Sequence, residues 1–243
     1  MFSIKYKKDV HLGIVTLFAA EREAAPTDSE KWVWDFDDAL NDLERDETIW
    51  VVLVTSELGS FLPDHFELGS HSLGGILDAI TKPVVCAIQI NAFGPGFEFM
   101  MPCDIIVCRN TSQFSIGHLK EGNIPQDGGT QRLPRIVGQG RALELLLTGR
   151  TFDATEAEEM GLVQYVSCSN SLDLAVDIAR QIISNAPISV KYIKEAVKSG
   201  SDMTLSQGLV LEADLSVILQ STTDRSEGLD AFFDKRKPKF KSR

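Results

Sequence analysis

The sequence predicts an α/β fold, and two patterns carry that expectation. Short β-branched apolar runs recur up to about residue 187, among them Ile49-Trp50-Val51-Val52-Leu53-Val54-Thr55 and Pro83-Val84-Val85-Cys86-Ala87-Ile88. Between the runs, apolar residues fall at helical spacing: Phe36, Ala39, Leu40 and Leu43, then within 143–147 and 172–183. Strands alternating with helices imply a sheet covered on both faces.

Taken in order, Leu12-Gly13-Ile14-Val15-Thr16-Leu17-Phe18 reads as the first β-strand. The cationic Lys5-Tyr6-Lys7-Lys8 before it gives a superficial likeness to a secretion signal, but the apolar run is short and alternates as a strand does. Residues 49–55, 83–90 and 104–109 are the next strands. Asp153 caps a helix that Gly161 ends, and Leu162-Val163 begins a further strand. Beyond Pro187 only helices are expected, over 189–198 and 205–220. This divides the chain into a core at 1–187 and a helical oligomerisation region at 188–243. Terminal helices with an apolar stripe commonly pack on a neighbouring subunit.

Bulk composition excludes several classes. At 243 residues, 43% hydrophobic and 24% charged, the chain is an ordinary globular protein with room for one large domain. A net charge of −11 opposes nucleic-acid binding, which needs a basic surface. Six cations are concentrated in 235–243, leaving −17 on the remainder, so this end is either a solvated tail or a local phosphate site. Cys86, Cys103, Cys108 and Cys168 show no metal-ligand spacing and demand no oxidising compartment. No apolar run approaches the roughly 20 residues of a membrane span. The expectation is a cytoplasmic protein that uses neither metal nor membrane.

The chemistry-bearing stretch is Asn91-Ala92-Phe93-Gly94-Pro95-Gly96-Phe97-Glu98. Its glycines let another molecule approach the backbone at a helix start, where the dipole favours negative charge. A carboxylate then sits in an apolar helix, Glu98-Phe99-Met100-Met101, where packing alone does not call for one. Together with Cys103-Asp104-Ile105, this stretch resembles the Asn-Gly-x-Ala-x-Gly-Gly-Gly-x-Glu…Cys-Asp-Ile segment of the crotonase (enoyl-CoA hydratase/isomerase) superfamily. Gly128-Gly129-Thr130-Gln131-Arg132-Leu133, Leu146-Leu147-Thr148-Gly149 and Glu227-Gly228-Leu229-Asp230-Ala231-Phe232 continue the likeness in order, over nearly the whole chain.

The resemblance implies a spiral of ββα units, a C-terminal helical trimerisation region giving trimers or hexamers, and chemistry through a thioester enolate. Coenzyme A would then be part of the substrate, with no separate cofactor. Glu98 falls on the family's first catalytic glutamate. His118 occupies the place of the second, twenty positions on, and can serve as acid or base near neutral pH. Asp127 lies nine residues further, the His–Asp spacing of the superfamily's β-diketone hydrolases, and is expected to orient His118 across a loop broken by Gly122 and Pro125.

Two features depart from the family. The loop that supplies one oxyanion amide reads Phe61-Leu62-Pro63-Asp64-His65-Phe66, which assigns that amide to His65. The second amide belongs to a position occupied here by Pro95, which has no N–H, so Gly96 would have to donate in its place. Loss of one such donor costs about 2.7–4 kcal/mol of transition-state stabilisation. The Lys235–Lys241 stretch matches the segment that contacts the CoA nucleotide in hydratases, with Lys235 and Lys237 as CoA-binding candidates. The leading expectation is an acyl-CoA hydratase or related lyase. A C–C hydrolase acting on a small β-diketone and a non-catalytic binding protein are the alternatives.

Overall fold

The computed structural model describes residues 2–19, 29–58, 60–62 and 72–243. A hairpin of β1 (Phe2–Asp9) and β2 (Leu12–Ala19) leads to α1 (Ser29–Arg45), β3 (Val51–Ser56), α2 (Leu73–Asp78) and β4 (Val84–Ile88). The site region follows: β5 (Ala92–Phe93), α3 (Pro95–Met100), β6 (Ile105–Arg109), β7 (Gln113–Ser115) and a 3-10 turn at Gly117–Glu121. Next come α4 (Gly129–Val137), α5 (Gln139–Thr148), β8 (Phe152–Asp153), α6 (Ala154–Glu159) and β9 (Tyr165–Ser167). The chain ends in α7 (Ser171–Ile183), α8 (Pro187–Gly200), α9 (Leu205–Leu219) and α10 (Thr223–Phe233).

One sheet separates two apolar cores. Its order is β1-β2-β3-β4-β6-β9, parallel from β2 onward with β1 antiparallel at the edge. Because side chains alternate along a strand, Val51 and Leu53 join Val85 and Ala87 on the face covered by Ala175, Ile178 and Ala179 of α7. Val52, Val54, Cys86 and Ile88 point the other way, into the larger core with Phe36 and Leu40 of α1 and Phe97 and Phe99 of α3. A second, three-stranded sheet, β5-β7-β8, carries the turn into α3.

Strands 51–56, 84–88 and 105–109 stand where the apolar runs place them, and Asp153 caps α6 by accepting the Glu156 N–H. The N-terminal expectation is corrected. The run from Leu12 is the second strand, because Lys5-Tyr6-Lys7-Lys8 itself forms β1 and pairs with it from Phe2↔Ala19 to Asp9↔Leu12. Leu162 and Val163 are buried but lie before β9, their amides bonding to the Ala157 carbonyl.

Candidate active site

The site is assembled where β5 hands over to α3. Gly94 has φ +47° and ψ −117°, a conformation that L side chains rarely adopt. Its N–H donates to the Ser115 carbonyl of β7, and its carbonyl accepts from Phe97 and Glu98, starting the helix. Pro95 stands at the first helical position, where a missing N–H breaks no helical bond. Gly96 is buried, and a Cβ on it would lie 2.9 Å from the Leu62 backbone nitrogen. The segment ending at Leu62 therefore packs directly on the start of α3, and Phe61 fixes it there by donating to the Asn91 carbonyl at 2.7 Å.

Glu98, one turn into α3, is 1% exposed, yet every one of its acceptor positions is engaged. The Asp127 and Gly129 amides donate to Oε1, each at 2.8 Å. The Gln126 amide donates to Oε2 at 3.2 Å, and His118 Nε2 lies 3.0 Å from the same oxygen. Burial alone would raise the carboxyl pKa. The hydrogen bonds from His118, Gly129 and Asp127 outweigh it and hold the group below the usual glutamate range. Gly129 is also the first residue of α4, so the helix start adds its dipole to the stabilisation of the anion.

Two adjacent glycines make this approach sterically feasible. Gly128 has φ +95°, and a Cβ there would meet Arg132 Nη1 at 2.1 Å. A Cβ on Gly129 would lie 2.9 Å from Glu98 Oε1 and 2.7 Å from both Ile116 Cδ1 and Pro125 Cβ. In the sequence, Gly128-Gly129 stands out only as part of a family resemblance, with nothing to mark a role at the site. The backbone amides of 126, 127 and 129 carry no residue identity and leave no trace in the sequence beyond that pair.

The structure corrects the His118–Asp127 pairing. The loop does fold back after Gly122, whose φ is +74°, but it returns backbone amides to Glu98 and leaves the Asp127 side chain facing α2. Ser72 Oγ donates to Asp127 Oδ1 at 2.5 Å, and the Gly74 N–H donates to Oδ2 at 2.7 Å. Ser72 Oγ in turn accepts from the Gly75 N–H at 2.8 Å. The first turn of α2 contains no acid of its own, and Asp127 supplies one from 53 residues downstream. Burial pushes the Asp127 carboxyl above the usual aspartate range, with the charge of Glu98 adding to the rise. The Ser72 and Gly74 bonds and Arg132 counter it in part.

His118 therefore partners Glu98. Its side chain is 13% exposed, and its other ring nitrogen, Nδ1, is buried and has no hydrogen-bond partner among the described residues. His65, assigned to the first oxyanion amide, lies outside the described residues. Lys235 and Lys237 are exposed beyond the end of α10. Among the described residues no cluster of histidine, cysteine or acid side chains could hold a metal, and no helix is long and apolar enough to cross a membrane.

A largely parallel sheet, a Gly-rich turn opening a helix, and a buried carboxylate on its first turn are the arrangement of a crotonase-type fold. The solved structure of an enoyl-CoA hydratase from Bacillus anthracis superposes with a TM-score of 0.88 at 29% identity, covering 99% of each chain. The chain belongs to the enoyl-CoA hydratase/isomerase family, which its residues 65–243 match. A relative named "Probable enoyl-CoA hydratase echA8", from Mycobacterium bovis, is 32% identical over 255 residues, spanning 99% of this chain and 98% of its own. The mitochondrial enoyl-CoA hydratase of Pongo abelii is 42% identical over 166 residues, spanning 68% of this chain and 57% of its own.

Proposed function

We propose that this crotonase-type, enoyl-CoA hydratase-like enzyme adds water across an α,β-unsaturated acyl-CoA thioester, with Glu98 and His118 as its acid–base unit. The observation that supports the reading is the 3.0 Å contact between Glu98 Oε2 and His118 Nε2, two residues that the sequence resemblance sets at the family's catalytic positions. A carboxylate held ionised beside an imidazole is a ready means of moving one proton to and from a substrate. The β-diketone hydrolase alternative rested on the His118–Asp127 pair, and with Asp127 bound to Ser72 and Gly74 it has no remaining support in the geometry.

Oxyanion stabilisation falls to Gly96 on this side of the pocket. Phe97 and Glu98 donate to the Gly94 carbonyl and Pro95 has no N–H, whereas Gly96 donates to no acceptor among the described residues. It is thus the one amide at the start of α3 left for a thioester oxygen. The assay is direct: a short trans-2-enoyl-CoA should lose its enoyl absorbance and gain the mass of one water. Isomerised or cleaved product would overturn hydration as the reaction.

The assembly we propose is a trimer or a dimer of trimers. Ile193 and Val197 of α8 are exposed, as are Leu205, Leu209, Val210 and Val217 of α9. A helix this apolar on its outer surfaces needs a partner. Sedimentation at micromolar concentration should show a multiple of three chains, and a stable monomer would exclude it.

A further inference from the structure

We infer that Asp127 is a positioning residue for Glu98: its carboxylate, anchored on α2, holds its own backbone amide against the Glu98 carboxylate. The inference rests on the hydration reading and adds to that site a residue outside the two catalytic positions. The polar groups of residue 127 go to three different helices. Its N–H donates to Glu98 Oε1 of α3 at 2.8 Å. Its carbonyl accepts from Arg132 Nη1 of α4 at 2.5 Å. Its carboxylate accepts from Ser72 Oγ at 2.5 Å and from the Gly74 N–H of α2 at 2.7 Å.

These ties form a closed circuit. Leu73 and Leu77 of α2 share one core with Phe97 and Phe99 of α3, so the anchor is fixed relative to the helix that carries Glu98. Arg132 holds the far end of α2 through Asp78, and both ends of that short helix are thus bound to the loop and α4. Gly128, next in the chain, has φ +95°, and glycine gives the loop little stiffness of its own. The position of the 127 amide is therefore set by what grips the residue around it. Asp127 is 3% exposed. An apolar side chain there would avoid the cost of burying an acid, but would leave Ser72 Oγ and the Gly74 N–H without their acceptor.

An amide fixed at hydrogen-bond distance stabilises the ionised carboxylate, and one free to drift does so less. The charged and titratable groups around Glu98 are His118 on the 3-10 turn, Asp127 itself and, behind it, Arg132 paired with Asp78. Alanine and asparagine at 127 remove the same charge. Only asparagine keeps the anchor, since its oxygen can accept from the Gly74 N–H while its NH₂ donates to Ser72 Oγ. Comparing the two variants separates tether from charge.

Carbon-13 spectra of the glutamate carboxyls in the full chain, with Glu98 assigned by its absence in Glu98→Gln, read the anchor without any substrate. Asp127→Ala should raise the Glu98 midpoint by about 0.5–1 pH unit, and Asp127→Asn should move it by less than about 0.3. Leu77→Ala empties core volume in the same helix and keeps the anchor. It should lower the urea midpoint and leave the Glu98 titration in place. If Asp127→Ala does not fold, Ser72→Ala removes one anchoring donor from the α2 side and should move the midpoint the same way by less. With a short trans-2-enoyl-CoA, kcat of Asp127→Ala should fall about tenfold or more, with KM within about threefold, and Asp127→Asn should behave as the wild type. Equal midpoints in Asp127→Ala and Asp127→Asn would overturn the inference, as would an unmoved one in Ser72→Ala where only that variant folds. An equal shift in Leu77→Ala would reduce the effect to lost stability and overturn it as well. Should the wild type bind CoA thioesters but hydrate none, the hydration reading fails, while the Glu98 titration still decides the anchor.

Discussion

The Cα of Gly129 faces Glu98 so closely that a Cβ there would stand 2.9 Å from Oε1, with Ile116 and Pro125 closing the other sides. Gly129→Ala should therefore displace the carboxylate or the loop, weakening the contact to His118 and destabilising the fold by about 1–3 kcal/mol. Urea unfolding and kcat report the two effects. Gly140→Ala, in α5 with open space around it, is the matched control and should be neutral or mildly stabilising. Equal behaviour of the two variants would mean that the Glu98 pocket is not sterically defined by Gly129.

Glu98 and Asp127 pull the pH dependence of stability in opposite directions. The Glu98 carboxyl is held below its ordinary range, so its contribution is present above the unfolded value and is lost as pH falls through the folded one. Asp127 is raised by burial, so the folded state keeps that proton longer, and stability is lost as pH rises from the unfolded value through the raised one. Glu98→Gln should flatten the loss of unfolding free energy on acidification, and Asp127→Asn should steepen it. Urea midpoints from below the carboxylate range to neutrality measure both slopes, and slopes unchanged from the wild type in both variants would contradict the assigned shifts.

These two acids also show what the sequence could and could not convey. Strands 51–56, 84–88 and 105–109 were legible because the middle of each buries both faces, which forces a short run of consecutive apolar residues. Glu98 was legible because a carboxylate inside such surroundings is costly and needs a reason. Asp127 was not, because a nine-residue interval fixes how far apart two residues lie along the chain and says nothing of Ser72 and Gly74, which approach from 55 and 53 residues upstream. The donors to Glu98 are backbone amides, equally available from any residue type, so only the glycine pair that permits their approach left a mark in the sequence.

Pro95 stands where the family resemblance places an oxyanion amide; if, as proposed, the Gly96 N–H serves instead, Pro95→Gly should change kcat by less than about tenfold. The same substitution should lower stability slightly, since proline at the first helical position limits the unfolded chain. A gain of about 10²–10³ in kcat, the usual worth of one oxyanion donor, would show that Gly96 does not fill the role.

The basic ending calls for substitutions rather than truncation, because the structure uses this segment internally. Asp224, 3% exposed, accepts the amides of Lys241 and Ser242 at 2.7 and 2.8 Å. Glu227 holds the Arg236 guanidinium at 2.6 and 2.9 Å and the Lys239 amide at 2.6 Å. Removing 235–243 would strip these acids of their partners and perturb α10 whether or not the segment meets a ligand. Lys235 and Lys237 are exposed, so alanine at both removes two charges and leaves the anchoring bonds in place. If they meet the phosphates of CoA, the double variant should bind an acyl-CoA about two- to tenfold more weakly at low salt, as expected for exposed ion contacts. The deficit should shrink as salt rises, because such contacts are screened over about 10 Å at 0.1 M ionic strength. Calorimetric titration with an acyl-CoA at two salt concentrations reads both effects. Affinity equal to the wild type at low salt would confine these lysines to solvent and assign the CoA phosphates to other cations.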